Sequence, residues 1–207
     1  MVETNGRNFD LLTLGQVLLR LSPPDNERLS RGDTFVKQVG GAELNVAVGA
    51  ALLGLHTGVI SKLPAHDIGS FMKGKIRSFG VSDDFFMYDQ SPAARVGIYY
   101  YENGAYPRKP KVIYDRNHSS FFSLDIDEIP EEVYTASKCF HTTGITLALN
   151  EDIRETTIEM IKRFKAAGTL VSFDVNFRGN LWTGDQAREC ILRILPYVDI
   201  FFCSEDT

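Results

Sequence analysis

Lys138 to Arg178 reads K-C-F-H-T-T-G-I-T-L-A-L-N-E-D-I-R-E-T-T-I-E-M-I-K-R-F-K-A-A-G-T-L-V-S-F-D-V-N-F-R. The stretch holds a complete strand–helix–strand unit. Lys138 to Thr142 predicts a strand, and Asn150 is suited to cap a helix that runs to Ala167 with Gly168 behind it. Leu170 to Phe177 predicts a second strand. Two strands joined by a helix of this length form a parallel pair, because the crossover returns the chain to the same end of the sheet.

The same alternation continues on both sides. Gly184 to Leu195 predicts a helix and Val198 to Cys203 a last strand; toward the N-terminus, Phe9 to Gly15 predicts a first strand. Gly40-Gly41 opens the apolar stretch A-E-L-N-V-A-V-G-A-A-L-L, closed by Gly54 and expected as a buried helix packed on the sheet. Thr57 to Leu63 predicts a strand, and Asp67 to Phe79 a helix stopped by Gly80. The expected class is therefore α/β, with a mostly parallel sheet covered on both faces. Val17 to Leu21, Thr34 to Val39, Arg95 to Glu102 and Lys111 to Arg116 are strand-like but break the alternation. They are expected as a small β flap beside the main sheet, the last two as a hairpin with a long loop.

Composition narrows the function. Of 207 residues, 43% are hydrophobic and 24% charged, which fits an ordinary soluble domain and argues against disorder or a coiled coil. The formal net charge of -5 and the absence of Lys/Arg runs argue against nucleic acid or an anionic membrane as partner. Cys139, Cys190 and Cys203 are too sparse for a disulfide framework or a zinc site. The opening residues M-V-E-T-N-G-R-N lack the apolar core of a secretion signal, so the cytoplasm is the expected compartment.

Several motifs bear on chemistry. Gly69 to Lys75, G-S-F-M-K-G-K, imitates the start of a phosphate-binding loop, but Ile76 stands where a hydroxyl is needed. Ile68, Phe71, Met72, Ile76 and Phe79 fall at helical spacing, so the match is accidental. Gly40-Gly41 before a helix start, with Asn45 one turn in, could let a ligand approach the backbone; alternatively Asn45 ties down a neighbouring loop. In an extended D-V-N-F-R, Asp174, Asn176 and Arg178 would share one face at the C-terminal end of a parallel strand, where α/β sheets bind ligands. The competing reading is a structural Asp–Arg pair. Arg116 beside Tyr114, and Tyr99 on the facing strand, suit a polyol bearing a carboxylate, though an ordinary amphipathic hairpin explains them too. His141 reads as a hydrogen-bonded strand residue. No G-x-G-x-x-G follows the first strand, which disfavours a dinucleotide-binding oxidoreductase.

Taken in order, V-G-G-A-E-L-N-V-A-V-G-A-A-L-L-G, S-K-L-P-A-H-D-I-G, G-I-Y-Y-Y-E-N-G, V-I-Y-D-R, F-H-T-T-G-I-T-L-A-L and F-D-V-N-F-R-G-N-L-W cover nearly the whole chain from Phe9. The set resembles the ribokinase-like (PfkB) carbohydrate kinases, in particular their 2-keto-3-deoxygluconate kinase branch. The resemblance implies a Rossmann-like three-layer sandwich carrying a β-sheet lid, with lid segments at about 16–39 and 93–117 and homodimerisation through the lid. It also implies a sugar-acid substrate, phosphorylated with ATP and Mg²⁺, bound by Gly41, Asn45, Tyr99, Tyr114, Arg116, Asn176 and Arg178. A neutral-sugar kinase for fructose or ribose is the nearest variant, and a non-catalytic sugar-binding protein is the alternative of a different class.

The chain departs from the family pattern in places. Gln16 stands where relatives often carry an acid. Ser204, the candidate nucleotide contact, and Thr207 replace the Asn and Glu of an N-x-x-E-type element. No glycine follows Gly184, so the G-A-G-D-like element that supplies the family's general-base Asp and anion-stabilising N–H groups is not in the chain. Residues 1–207 are therefore expected to form an incomplete ribokinase-like domain, with the C-terminal part of the fold missing. Such a chain is expected to contain no catalytic residue, no identifiable ATP or Mg²⁺ site and no phosphotransferase activity of its own.

Overall fold

The computed structural model describes residues 6–204; Thr207 lies outside them. In chain order, β1 (Phe9–Leu14) leads to β2 (Leu18–Ser22) and β3 (Val36–Gly40), then to α1 (Ala42–Leu52), β4 (Thr57–Pro64) and α2 (Asp67–Ser78). Two short strands, β5 (Val81–Ser82) and β6 (Phe86–Asp89), precede β7 (Gly97–Glu102) and β8 (Lys111–Asp115). The last part holds α3 (Val133–Ala136), β9 (Ser137–Thr143), α4 (Gly144–Leu147), α5 (Glu151–Ala166), β10 (Leu170–Asp174), α6 (Gly184–Ile194) and β11 (Ile200–Phe202).

The main sheet runs β11-β10-β9-β1-β4-β5, with β6 also beside β4, and every pairing is parallel. All eight residues of β4 are buried, as befits a strand covered on both faces. One face carries α5 and α6, where Phe140 of β9 stacks on Phe164 of α5 with ring centroids 4.1 Å apart. The other carries α1 and α2, where Leu44, Ala47, Met72 and Ile76 pack on Val59 and Leu63. This is the expected three-layer α/β sandwich. Helix ends follow their sequence signals: the Asn150 side chain accepts from Ile153 N at 2.8 Å, and Thr183 with Gln186 forms a capping box. The P-loop imitation Gly69–Lys75 lies inside α2. No helix among the described residues is long and apolar enough to cross a membrane.

The second sheet runs β3-β2-β7-β8. β2 pairs antiparallel with β3 and parallel with β7, and β7–β8 is the expected hairpin. Strand alternation divides its side chains. Leu19, Leu21, Val39 and Ile98 turn toward α1 and α2 and root the lid in the core. Leu18, Arg20, Tyr99, Tyr101, Val112 and Tyr114, at two-residue spacing on three neighbouring strands, turn toward a pocket.

Two expectations are corrected. First, α1 is not buried all round. Glu43, Leu44 and Ala47 are buried, whereas Val46, Leu52 and Leu53 are 40%, 76% and 85% exposed. The helix lies on a single sheet face, and apolar composition does not record which side has a neighbour. Second, the strand expected to reach Phe177 ends at Asp174. The Asp174 carboxylate accepts from Asn176 N at 3.1 Å, and Asn176 adopts a left-handed φ of 37°. This Asx turn, common for Asp and tolerated by Asn, replaces the expected alternation along D-V-N-F-R. Asp174 and Arg178 form no ion pair among the described residues, so the structural-pair reading fails as well.

Candidate sugar-acid site

Where the lid faces the C-terminal ends of the main-sheet strands, a cavity of about 550 Å³ opens. Each of its walls comes from a different element. The floor is the start of α1: Gly41, Ala42, Glu43 and Asn45. No side chain caps this helix, so its first N–H groups and the positive end of its dipole remain available to an oxygen-rich ligand. Gly41 has φ 151°, and a Cβ placed on it would lie 2.7 Å from the Gln16 carbonyl oxygen. A glycine is required there by both conformation and space. The Asn45 side chain makes no hydrogen bond within the described residues, which removes the loop-tying alternative and leaves its amide facing the cavity.

The lid supplies the roof. Tyr99 and Tyr114 are register partners on β7 and β8, with ring centroids 5.9 Å apart. Burial raises the Tyr99 phenol above its ordinary value, against the pull of Arg20, so it stays a neutral donor. Arg116 follows β8 by one residue. The Asn176 turn brings the third wall, Asn176 and Arg178. All seven substrate positions expected from the sequence, Gly41, Asn45, Tyr99, Tyr114, Arg116, Asn176 and Arg178, line this one cavity. Ser204, exposed beyond β11, does not.

The electrostatics are lopsided. Arg116 donates its Nε to Gln16 Oε1 at 2.7 Å, and no carboxylate pairs with it among the described residues. Burial lowers its pKa, with the nearby Glu43 charge working the other way. Arg178 has neither a hydrogen-bonded nor an ion-paired side chain among the described residues. Both arginines also line a smaller adjoining cavity of about 230 Å³, together with Asn117 and Asn180. One part-buried and one exposed guanidinium, neither paired with a protein carboxylate, suit a carboxylate ligand, which two forks can hold in a fixed orientation.

Beyond the seven named positions, four further polar residues line the cavity: Glu43, Gln16, Arg20 and Tyr101. Arg20 and Tyr101 were accessible through the two-residue period alone; the Arg20 guanidinium lies 4.3 Å from the Tyr101 ring centroid. Glu43 is buried, and its Oε1 accepts from Thr143 Oγ1 at 2.6 Å and Thr146 Oγ1 at 2.7 Å. A Cβ on Gly15 would fall 2.2 Å from the other carboxyl oxygen, so a side chain there would force the Glu43 carboxyl to move. Burial raises the Glu43 pKa above its ordinary 4.5, outweighing the two hydroxyl donors and Arg116. A raised carboxyl pKa favours the fold while the group is protonated. That contribution is full below the ordinary value and is lost as pH rises through the folded value. Glu43→Gln is therefore expected to melt higher than the parent chain at pH 8 by a few degrees, with the gain vanishing near pH 4. Melting curves across that range check it; parallel pH profiles would mean that Glu43 stays ionised in the fold.

Comparison with known proteins adds the following. Residues 8–207 match the family model described as pfkB family carbohydrate kinase. The 2-dehydro-3-deoxygalactonokinase of Haloferax volcanii is 37% identical over 196 residues, a match that takes in 95% of this chain and 61% of that protein. The crystal structure of 2-dehydro-3-deoxygluconokinase from Thermotoga maritima superposes with a TM-score of 0.88 at 35% identity, covering 93% of this chain and 59% of that one. An uncharacterized sugar kinase from Pyrococcus horikoshii, solved in complex with ATP, superposes with a TM-score of 0.79 at 25% identity, over 92% of this chain and 62% of that one. The chain thus spans about three fifths of the length of the relatives it matches.

Proposed function

The chain belongs to the pfkB family of carbohydrate kinases, and on that premise we propose that it forms the sugar-binding part of a kinase for a 2-keto-3-deoxy sugar acid, 2-keto-3-deoxygluconate or its galactonate epimer. One observation carries the reading: Arg116 and Arg178, both without a protein carboxylate, face a cavity whose lining also offers the hydroxyls of Tyr99, Tyr101 and Tyr114 and the amides of Asn45 and Asn176. A neutral sugar would leave the largely desolvated Arg116 without an ionic partner, an expensive arrangement in a partly enclosed site. A carboxylate-bearing sugar answers both arginines, while Tyr99, Tyr114, Asn45, Asn176 and the N–H groups of α1 suit its hydroxyls.

ATP as phosphoryl donor is supported by the ATP complex of the Pyrococcus horikoshii relative. Among the described residues no group of three or more His, Cys, Asp or Glu side chains could hold a metal ion. The residues lining the cavity suit the sugar end of the reaction. Isothermal titration of the chain with 2-keto-3-deoxygluconate, 2-keto-3-deoxygalactonate, fructose and ribose tests the reading. The two acids are expected to bind and the neutral sugars to bind at least about tenfold more weakly, the worth of one charge-assisted contact. Equal affinity for fructose would replace the sugar-acid reading with a neutral-sugar kinase. Adding ATP and Mg²⁺ to the same chain is expected to yield no phosphorylated product; product formation would overturn its assignment as the binding part alone.

A further inference from the structure

Two adjacent glycines join β3 to α1, and they are glycine for different reasons. Gly41 is fixed by its backbone conformation and by the Gln16 carbonyl. Gly40 has no positive φ, so its backbone lies outside the region that demands glycine. What excludes a side chain there is a ring from another strand. A Cβ on Gly40 would stand 2.4 Å from Tyr99 Oη and 3.1 Å from Cε1 and Cζ of the same ring.

The topology of the lid shows how the two meet. Gly40 is the register partner of Leu18 on β2, and Leu18 that of Gly97 on β7. Tyr99, two residues beyond Gly97, stands opposite Arg20. Leu18, Arg20 and Tyr99 all face the cavity, so the Tyr99 ring crosses β2 on that side and sets its hydroxyl down on β3 at Gly40. Tyr114 packs on the ring from β8, with centroids 5.9 Å apart. Gly40 is buried, and the next residue, Gly41, begins the cavity floor. A roof residue thus carries its hydroxyl to the edge of the floor.

We infer that Gly40 is a positioning residue for the substrate: by having no side chain it seats the Tyr99 hydroxyl at the junction of roof and floor, where that hydroxyl donates to an oxygen of the bound sugar acid. The inference rests on the sugar-acid reading of the cavity and on Tyr99 as one of its contacts. A methyl group on Gly40 meets the far end of a mobile side chain, not a backbone atom, so Tyr99 gives way and the fold does not. The hydroxyl must retreat from 2.4 Å to beyond 3.0 Å. That displacement is comparable with the whole working range of an O–H···O bond, about 2.5–3.0 Å.

Gly40→Ala, Tyr99→Phe and the double variant are titrated with 2-keto-3-deoxygluconate and melted beside the parent chain. Each single change is expected to weaken binding by about 3- to 10-fold, the worth of one hydrogen bond, with Gly40→Ala melting within error of the parent. The double variant is expected to bind as Tyr99→Phe does, because phenylalanine lacks the oxygen that the new methyl group would strike and has no hydroxyl left to misplace. A merely structural role for Gly40 would lower the melting point and add its loss to that of Tyr99→Phe; additive losses overturn the inference. So does a Gly40→Ala chain that binds as tightly as the parent while Tyr99→Phe binds more weakly, an outcome that leaves the site reading in place. If the parent binds the acid and Tyr99→Phe loses nothing, Tyr99 is not a contact and the inference falls with that assignment. If the parent binds no sugar acid, the reading of the cavity falls and takes the inference with it. Should Gly40→Ala fold poorly alone, the double variant still decides. Recovery of the Tyr99→Phe melting point places the clash at the hydroxyl, and no recovery places it in the backbone and overturns the seat.

Discussion

Gly41→Ala is expected to destabilise the chain by about 2–4 kcal/mol, the sum of a strained backbone and a forced contact, and to abolish measurable sugar binding. With φ at 151°, Gly41 occupies a region that an alanine enters only under strain. The new Cβ would stand 2.7 Å from the Gln16 carbonyl oxygen, a backbone atom that no rotamer change can move aside. Relief therefore demands that α1 and the β1–β2 link separate. The helix side of that movement carries Asn45, whose N–H bonds the Gly41 carbonyl at 2.9 Å. The strand side carries Gln16 and, through it, Arg116. One methyl group thus pulls apart the floor and one wall of the cavity. For a chain of this length the melting point should fall by roughly 5–15 °C. A melt and a titration with 2-keto-3-deoxygluconate decide the matter; a melting point and an affinity within error of the parent would mean that the α1 start yields freely.

The uneven legibility of the chain has physical causes. The unit from β9 to β10 could be read because its signals are local: apolar strands, an Asn cap, a periodic helix and a glycine stop. The lid strands could be read for the same reason, since β-branched and aromatic residues gather where the helical period is missing. The end of β10 could not. D-V-N-F-R alternates like a strand, and only the bond from Asn176 N to the Asp174 side chain shows that the chain has turned. The seven named positions nevertheless line one cavity, because the turn delivers Asn176 and Arg178 to it by another route. Gln16 and Glu43 were illegible in a different sense. Their partners, Arg116 and Thr143, each lie 100 residues away, so no window of sequence contains the interaction. The exposed face of α1 belongs to the same class, since coverage by a neighbour is a tertiary fact.

Arg178→Met is expected to lower affinity for 2-keto-3-deoxygluconate by about 10- to 100-fold, the range of one charge-assisted hydrogen bond, while leaving the melting point within error of the parent. The two halves of that expectation have separate causes. The Arg178 side chain holds nothing within the described protein, so its loss orphans no partner and opens no core cavity. Arg116→Met should cost the ligand a similar factor but also lower the melting point, because Gln16 Oε1 would lose the donor that satisfies it in a buried position. The double variant should lose less than the product of the single losses, since both guanidinium groups are assigned to the same carboxylate and are coupled through it. Additive losses would place the two arginines on separate ligand groups. An Arg178→Met chain that binds the acid as the parent does would remove the carboxylate from this cavity, because a second arginine already engaged by Gln16 cannot by itself account for a site built around two.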